Sequence, residues 1–387
     1  MKIVADQNML MVEPLFAEYG SITYVPGRSI CAADIVDADI LLVRSVTQVN
    51  KALLENSSVS FVGSATIGTD HIDRDYLAER GIAFAYAPGC NADAVVQYDL
   101  SVLSRLEANW LNCTVGIVGC GNVGGRLYRA LTNLGVSCSV YDPFLSADSG
   151  FNLVDFETVL ASDIICVHTP LTTSGRYPTK HLFSAEVLAQ IDPRSLLINA
   201  GRGGVIDNAA LLQLLEGGSS LRVALDVWEG EPAISLPLMN KVSLATAHIA
   251  GYSVEGKARG TEMLAEAFKE ITGPHAEKLG GEAKTSSKLS TVAADTISEL
   301  ILASYDVAED DLRMRNALAA SSDIGQSFDL LRKQYPERHE FSCYKFSGYL
   351  SSGYLSSGCL SSGGELGEAA TAAQAELRDQ ALKLGFH

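Results

Sequence analysis

A run of three closely spaced glycines restricts the fold of this chain more than any other part of its 387 residues. The run Gly119-Cys120-Gly121-Asn122-Val123-Gly124 follows the apolar segment 115–118 and precedes a helix-compatible segment at 125–131. Glycines at this spacing permit a tight turn, close approach of the backbone to a pyrophosphate, and close packing of helix on strand. The N-terminus of the following helix offers N–H groups to phosphates. Contacts to a dinucleotide are therefore expected from Gly119, Gly121, Asn122, Val123 and Gly124.

Short apolar segments alternate with helix-like segments along the first 270 residues, which is typical of buried parallel sheets. Six segments read as the strands of a complete doubly wound nucleotide-binding domain. They cover residues 113–118, 137–141, 163–167, 195–199, 221–225 and 241–245. Three earlier segments predict a second parallel sheet. These strands cover 2–5, 39–43 and 60–63, and helices are expected at 51–56, 92–110 and 253–271.

The helix predicted at 253–271 is expected to return the chain to the first sheet, which makes the first domain discontinuous. We therefore predict an α/β protein with two doubly wound parallel-sheet domains. A flavodoxin-like substrate-binding (lid) domain takes residues 1–92 and 254–278, and a Rossmann NAD-binding domain takes residues 93–253. The crevice between two such domains is expected to close over a substrate and exclude water.

The character of the chain changes after Gly273-Pro274, a pair that breaks the helix. A polar stretch at 280–287 predicts a linker, and residues 286–387 contain enough apolar segments for a small α+β C-terminal domain. Inside this tail a five-residue Ser/Gly-rich unit repeats three times over 349–363. Its composition favours a mobile loop rather than a structural repeat.

Acidic residues outnumber basic ones by 46 to 29, which leaves a net charge of −17. Such a charge repels nucleic acid and anionic membrane surfaces unless a basic run overrides it, and the sequence has none. No stretch reaches the roughly 18 apolar residues that cross a bilayer, and the N-terminus has no secretory apolar region. The eight cysteines show no C-x-x-C or metal-binding spacing. We therefore expect reduced thiols, a cytoplasmic protein and no metal site.

Asp142 ends the second strand of the nucleotide-binding domain, 18 residues after Gly124. A carboxylate at this place accepts hydrogen bonds from the adenosine ribose hydroxyls of NAD and repels the 2′-phosphate of NADP. We therefore predict NAD as the cofactor. The alternative is an aspartate that caps a turn, because Asp before Pro143 is common turn chemistry.

Polar residues also follow the next two strands, where the carboxyl ends of a parallel sheet face a ligand crevice. Thr169 is a candidate for cofactor contact, whereas its neighbour His168 is as readily structural as functional. Arg202 follows the fourth strand and is flanked by glycines. Glycines let the backbone approach a ligand closely, and a guanidinium binds carboxylates through two hydrogen bonds. Arg202 is therefore a candidate to bind an acidic substrate.

The last two strand ends carry carboxylates and a histidine. Glu229 and Glu231 follow the strand at 221–225, and His248 follows the strand at 241–245. A nearby carboxylate fixes the tautomer of a histidine and raises its basicity, and either glutamate could serve His248. An apolar-flanked histidine is more often structural. The case for catalysis therefore depends on Arg, Glu and His all following strands of one nucleotide-binding domain.

Together these segments resemble the D-isomer-specific 2-hydroxyacid dehydrogenase family over about residues 40–270. In that family the catalytic residues are an arginine, a glutamate before a proline, and a histidine. They fall on Arg202, Glu231 and His248, so the resemblance selects Glu231 over Glu229. The motifs that carry it are Gly68-Thr69-Asp70-His71-Ile72-Asp73, Ala87-Pro88-Gly89-Cys90-Asn91-Ala92, Gly119 to Gly124, His168-Thr169-Pro170-Leu171, 199–207, 226–232 and His248.

The resemblance implies NAD-dependent oxidation of a phosphorylated 2-hydroxy acid, with Arg202 on the carboxylate and His248 as the general base. It also implies that NAD is contacted by Asp142, Thr169, Asp226 and Gly251, and substrate by Ser45, Thr66 and Tyr252. Arg44 is a further candidate for the substrate phosphate, because a guanidinium supplies charge and a two-pronged donor. Two other interpretations stay open. One is a dehydrogenase of glycerate, lactate or 3-phosphoglycerate, and the other is a non-catalytic NAD-sensing protein.

One group within the family carries a C-terminal dimerisation domain, and the segment Tyr335-Pro336-Glu337-Arg338-His339-Glu340-Phe341 resembles part of it. This likeness, together with the apolar stretches of the tail, predicts a homodimer. The chain departs from the pattern at two places. The Ser/Gly repeat at 349–363 interrupts the tail, and Gln97 stands where relatives tend to have glutamate.

Overall fold

The computed structural model describes residues 1–273, 289–347 and 365–387, with the backbone alone for Thr272 and residues 365–371. The predicted linker at 280–287 and the Ser/Gly repeat at 349–363 lie outside the described residues. Among the described helices, none is long and apolar enough to cross a membrane. Seven cysteines lie in the described part of the chain and none is joined to another by a disulfide, and Cys359 lies outside it.

The described chain groups into two compact units. Of the described residues, the first unit takes 1–92 and 253–273, and the second takes 93–252, 289–347 and 365–387. The separate C-terminal domain and the other boundaries suggested by the sequence stay predictions.

The strands of the described residues form three sheets in which neighbouring strands are parallel. In chain order they are β1 (Lys2–Asp6), β2 (Ser21–Val25), β3 (Ile40–Val43), β4 (Phe61–Ser64), β5 (Ala83–Tyr86), β6 (Thr114–Val118), β7 (Ser137–Tyr141), β8 (Ile164–Val167), β9 (Leu196–Asn199), β10 (Arg222–Leu225), β11 (Leu244–Ala245), β12 (Ser290–Val292) and β13 (Tyr344–Phe346).

Many of the α-helices begin at an Asp, Asn, Ser or Thr whose side chain accepts a hydrogen bond from the first turn. In chain order they are α1 (Val12–Phe16), α2 (Lys51–Leu54), α3 (Arg74–Glu79), α4 (Ala92–Leu106), α5 (Asn122–Asn133), α6 (Phe156–Leu160), α7 (Ala185–Leu188), α8 (Asn208–Glu216), α9 (Leu236–Lys241), α10 (Val254–Thr272), α11 (Ile297–Ser304), α12 (Val307–Ala319), α13 (Ile324–Lys333) and α14 (Glu365–Lys383).

The sheet of the first unit has the strand order β2-β1-β3-β4-β5, which is the flavodoxin-like order. The three strands predicted from the sequence, β1, β3 and β4, are its interior strands. The edge strands β2 and β5 were not predicted, because their partly exposed residues do not form a continuous buried run. Helix α10 packs Leu264 and Phe268 into the core of this unit, so the chain returns to the first sheet as expected.

The sheet of the second unit has the order β11-β10-β9-β8-β6-β7, and all six predicted strands are present. The chain leaves β6 for β7 on one side and then continues with β8 on the other side. The strand order therefore reverses between β6 and β8, and parallel sheets bind ligands outside the carboxyl ends of the strands at such a point. The glycine run follows β6 directly and lies at this place.

Helix α4 ends at Leu106 rather than at residue 110. The guanidinium of Arg222 closes it by donating to the Leu106 carbonyl over 2.5 Å and to the Glu107 carboxylate over 2.9 Å. A cation at the carbonyl end of a helix satisfies its last acceptors and opposes the helix dipole.

The tail from residue 289 joins the second unit along α4. Ser101 Oγ donates to the carbonyl of Tyr305 over 2.9 Å, and Gln97 Nε2 donates to the carbonyl of His339 over 3.1 Å. Since a carboxylate cannot donate to a carbonyl, the glutamate expected here from the resemblance would not make this contact. Gln97 therefore ties the tail to α4.

Candidate active site

The three predicted catalytic residues follow three adjacent strands. Arg202 lies after β9, Glu231 after β10 and His248 after β11, and these strands are neighbours in the sheet. Because parallel strands end at the same edge, residues far apart in the sequence come together there.

His248 and Glu231 form a direct pair. Nδ1 of His248 lies 2.8 Å from Oε2 of Glu231, and the backbone N–H of Trp228 donates to Oε1 of the same carboxylate over 2.8 Å. Burial raises the pKa of the Glu231 carboxyl, but the charge of His248 and the hydrogen bonds outweigh it and hold that pKa below its ordinary value. The other candidate, Glu229, accepts instead from Nε2 of His181 over 2.7 Å.

The loop that carries His248 is built around Asp226. Its buried carboxylate accepts from the Thr246 hydroxyl over 2.7 Å and from the N–H groups of Ile249 and Ala250 over 2.8 and 2.9 Å. The resemblance implied that Asp226 contacts NAD. That contact stays a prediction, and the hydrogen bonds described here show that the carboxylate also holds the histidine loop.

The loop that carries Arg202 is held from both sides. Asn199 donates through Nδ2 to the carbonyl of Arg202 over 3.1 Å and accepts through Oδ1 from the N–H of Gly201 over 3.0 Å. A Cβ atom at Gly203 would lie 2.0 Å from the carbonyl carbon of Trp228. Only glycine lets this loop approach the backbone just before the catalytic glutamate.

Each glycine of the fingerprint has a different environment. Gly119 has a φ of +87°, and a Cβ there would lie 2.8 Å from Cγ2 of Thr169. A Cβ at Gly124 would lie 2.0 Å from the carbonyl oxygen of Gly119, whereas one at Gly121 would meet no atom within 4 Å. The first turn of α5, where Asn122 and Val123 lie, has no side-chain cap. Its N–H groups therefore suit the pyrophosphate of a dinucleotide.

Two predicted cofactor residues flank this loop. Asp142 accepts through Oδ2 from the N–H of Cys120 over 2.9 Å and through Oδ1 from the N–H of Phe144 over 3.0 Å, so it also makes the turn proposed as the alternative. The Thr169 hydroxyl is buried and has no hydrogen-bond partner among the described residues. A buried hydroxyl without a partner beside an open glycine loop fits a bound dinucleotide.

A buried pair of side chains under this loop was not predicted from the sequence. Nε2 of His168 lies 3.1 Å from Oδ2 of Asp99, and the two side chains are 1% and 0% exposed. Burial raises the pKa of the Asp99 carboxyl above its ordinary value. His168 therefore has an internal partner on α4, which no spacing in the sequence reveals.

The predicted substrate residues are divided between the two units. Arg44 and the exposed Ser45 follow β3, and Thr66 follows β4, its neighbour in the first sheet. The hydroxyl of Thr66 donates to the carbonyl of Gly68 over 2.8 Å. Tyr252 lies in the second unit, four residues after His248. It follows Gly251, which was expected to contact NAD.

His181, Asp207 and Glu229 bring possible metal-ligating atoms within 4.8 Å of one another. Their atoms also have hydrogen-bond partners. His181 pairs with Glu229, and Asp207 caps α8 by accepting from the N–H groups of Ala209 and Ala210. The cluster joins the loop after β8 to the turn before Glu231.

Two family models match the chain. The model described as D-isomer specific 2-hydroxyacid dehydrogenase, NAD binding domain, matches residues 102–250. A domain of unknown function matches residues 282–352.

Curated relatives match most of the chain. The erythronate-4-phosphate dehydrogenase of Teredinibacter turnerae is 49% identical over 352 residues, 89% of this chain and 94% of that protein. The enzyme of the same name from Edwardsiella ictaluri is 48% identical over 357 residues, 88% of this chain and 93% of that protein. The solved structure of NAD-bound 3-phosphoglycerate dehydrogenase from Entamoeba histolytica covers 70% of this chain and 96% of its own, with a TM-score of 0.61 at 21% identity.

The position of Asp142 predicts a strong preference for NAD over NADP. A second negative charge beside this carboxylate costs several kcal/mol, so kcat/KM with NAD should exceed that with NADP by about 10² or more. Asp142→Asn should narrow the ratio, while Asp148→Asn, at a nearby exposed position, should leave it unchanged. Steady-state kinetics with both cofactors measure this ratio, and equal kcat/KM values for NAD and NADP in the wild type would contradict the role of Asp142.

The lowered pKa of Glu231 predicts a pH-dependent stability. A carboxyl whose pKa is lower in the folded chain stabilises the fold above its unfolded pKa, and this stabilisation is lost as the pH falls through the folded value. Wild type should therefore exceed Glu231→Gln in free energy of unfolding at neutral pH, and the difference should shrink below about pH 4. Denaturant titrations at both pH values test this. The exposed Glu216→Gln is the control, and a gap that does not change with pH would refute the expectation.

Proposed function

The chain belongs to the erythronate-4-phosphate dehydrogenase family, within the D-isomer specific 2-hydroxyacid dehydrogenases, and from this membership we propose that it oxidises 4-phospho-D-erythronate at C2. The product is (R)-3-hydroxy-2-oxo-4-phosphooxybutanoate, and the reaction belongs to pyridoxal 5′-phosphate (vitamin B6) biosynthesis. The enzyme is an NAD-dependent oxidoreductase.

The observation that carries this function is the pair of His248 and Glu231 at the edge of the sheet that also carries Arg202. A carboxylate only accepts hydrogen bonds, so Glu231 selects the tautomer with hydrogen on Nδ1. The Nε2 lone pair of His248 is then available as a base.

Each member of the trio has a distinct role in the reaction. Arg202 binds the substrate carboxylate and stabilises charge on the C2 oxygen through its guanidinium. Nε2 of His248 takes the proton of the C2 hydroxyl, and Glu231 stabilises the resulting imidazolium. In the reverse direction the same imidazolium returns the proton.

The residues that would hold NAD are those of the glycine loop together with Asp142, Thr169, Asp226 and Gly251. When bound, NAD accepts the hydride from C2, and the protein supplies position and electrostatic field. The open space at Gly121 and the uncapped start of α5 suit the pyrophosphate, while the Thr169 hydroxyl offers a hydrogen bond to the cofactor.

We propose that the phosphate-bearing end of the substrate is contacted by Arg44, Ser45 and Thr66. They follow neighbouring strands of the first sheet, where hydroxyls and a guanidinium provide donors for phosphate oxygens. We also propose that the enzyme works in the cytoplasm, where a reducing environment keeps thiols such as the buried Cys166 reduced.

We propose that the protein forms a homodimer. The sequence suggested this because apolar stretches of the tail need burial, but the structure supports it for another reason. Apolar residues of the tail such as Ile301 and Phe328 are covered within the chain itself. Support comes instead from leucines that stay exposed on tail helices, Leu312 at 60% and Leu382 at 59%. A two-fold interface, the commonest assembly of soluble proteins, would bury these side chains on both copies.

We expect His248→Asn to retain NAD binding but to lower kcat by about 10² or more, the usual scale of general-base catalysis. Arg202→Lys should also turn over slowly, because an ammonium does not reproduce the two-pronged guanidinium. Stopped-flow rates and cofactor titrations separate chemistry from binding, with His387→Asn at the chain end as control. Normal turnover by both site variants would refute the trio.

A substrate panel tests the function itself. The wild type should oxidise 4-phospho-D-erythronate with a kcat/KM about 10²–10³ above that for D-erythronate, the effect of a few charge-assisted hydrogen bonds. Arg44→Ala should lose much of that preference. Faster turnover of glycerate, lactate or 3-phosphoglycerate would indicate another dehydrogenase, and no turnover of any acid would indicate an NAD-sensing protein.

Sedimentation of the full chain should show twice the mass of one chain. The double variant Leu312→Asp, Leu382→Asp should shift it to monomer, because each charge would be buried in the interface. Val36→Asp, at an equally exposed apolar position in the first unit (52%), should stay dimeric. A tail variant that remains dimeric would place the interface elsewhere.

A further inference from the structure

We propose that Arg332, from the C-terminal segment, binds the substrate phosphate and helps to select the phosphorylated acid, a role that rests on the function proposed above. Arg332 belongs to α13, inside the region that matches a domain of unknown function. The position of α13, the neighbours of the guanidinium, and a buried N–H group without a partner support this role.

The first turns of α13 pack against the turn that carries the catalytic glutamate. A Cβ atom at Gly325 would lie 3.5 Å from Cγ of Pro232, the residue after Glu231. Phe328 is fully buried in the same core as Trp228, whose N–H donates to the Glu231 carboxylate. This packing fixes α13 beside the catalytic turn.

The last turn of α13 places Arg332 beside Tyr252, one of the predicted substrate residues. The guanidinium carbon lies 5.8 Å from the centroid of the Tyr252 ring, and Tyr335 packs edge-on against the same ring with a centroid distance of 5.7 Å. The charge of Arg332 also helps to lower the pKa of the Glu231 carboxyl. Arg332 is therefore close enough to act electrostatically on the catalytic pair.

The Nε–H of Arg332 is buried and has no hydrogen-bond partner among the described residues. A buried donor without an acceptor is costly, so such a group points to a missing acceptor. Phosphate oxygens suit a guanidinium, which offers donors in a planar fork. A chain with a net charge of −17 also needs local cations to hold an anionic ligand.

The substrate has two anionic groups, and its phosphate is the one that the catalytic trio does not bind. Arg202 serves the carboxylate, and His248 serves the C2 hydroxyl beside it. Tyr252 follows His248 by four residues and has Arg332 over its ring. The phosphorus lies four bonds beyond C2, past the reach of the groups that bind the carboxylate and the C2 hydroxyl. Among the described residues, Arg332 is a cation beside Tyr252 and suits this phosphate.

The test compares kcat/KM for 4-phospho-D-erythronate and D-erythronate in the wild type, Arg332→Ala and Arg332→Lys. Arg332→Ala should lower the value for the phosphorylated acid about 10²-fold more than the value for D-erythronate, mainly through KM. Arg332→Lys should recover part of the loss, since it keeps the charge but not the fork. Lys333→Ala is the matched control, because it removes the adjacent, exposed cation of the same helix.

A binding measurement without turnover accompanies the kinetics. With NAD present, inorganic phosphate should raise the Tm of the wild type and of Lys333→Ala, but not that of Arg332→Ala. An equal loss on both acids, or a shifted pH profile of kcat with unchanged phosphate preference, would overturn the proposal and make Arg332 a positioning residue for Glu231. A wild type without preference for the phosphorylated acid would refute the proposed function first, and the role of Arg332 with it.

Discussion

The buried carboxylate of Asp226 holds the loop on which the catalytic site depends. It accepts from the Thr246 hydroxyl and from the N–H groups of Ile249 and Ala250, and its own carbonyl accepts from the N–H of His248 over 2.7 Å. Removing a carboxylate from water raises its pKa and is costly unless donors surround it. These donors all come from the histidine loop, so the desolvated charge and the loop conformation stabilise each other.

The same loop is tied to α4 and to the tail. Tyr98 of α4 bonds the Thr246 hydroxyl over 3.0 Å. The buried guanidinium of Arg338 donates to the carbonyls of Ala94 and Ala250, which joins the tail to the start of α4 and to the loop after His248. The segment that matches a domain of unknown function is thus packed into the second unit, which carries the catalytic trio, besides being the proposed site of dimerisation.

The sequence predicted all six strands of the second sheet and the interior of the first, but not the two edge strands of the first sheet. Interior strands such as β3 and β9 are buried on both faces, so their residues form continuous apolar runs. The edge strand β2 mixes exposed and half-buried residues and gives no such run. The contact between Asp99 and His168 was not predicted for a related reason. Asp99 lies on α4 and His168 follows β8, so no local sequence pattern connects them.

The sequence by itself determined what depends on neighbouring residues: the glycine turn after β6, the continuous apolar strands of the two large sheets and the candidate identity of Arg202, Glu231 and His248. Spacing left the partner of His248 open between Glu229 and Glu231, and only the resemblance chose between them. The tertiary structure decided that partner by distance, since Glu231 reaches His248 whereas Glu229 reaches His181. It also decided that Arg332 and Tyr335 of the tail pack against Tyr252. Such contacts depend on how strands and helices pack, and packing joins residues that the chain keeps far apart.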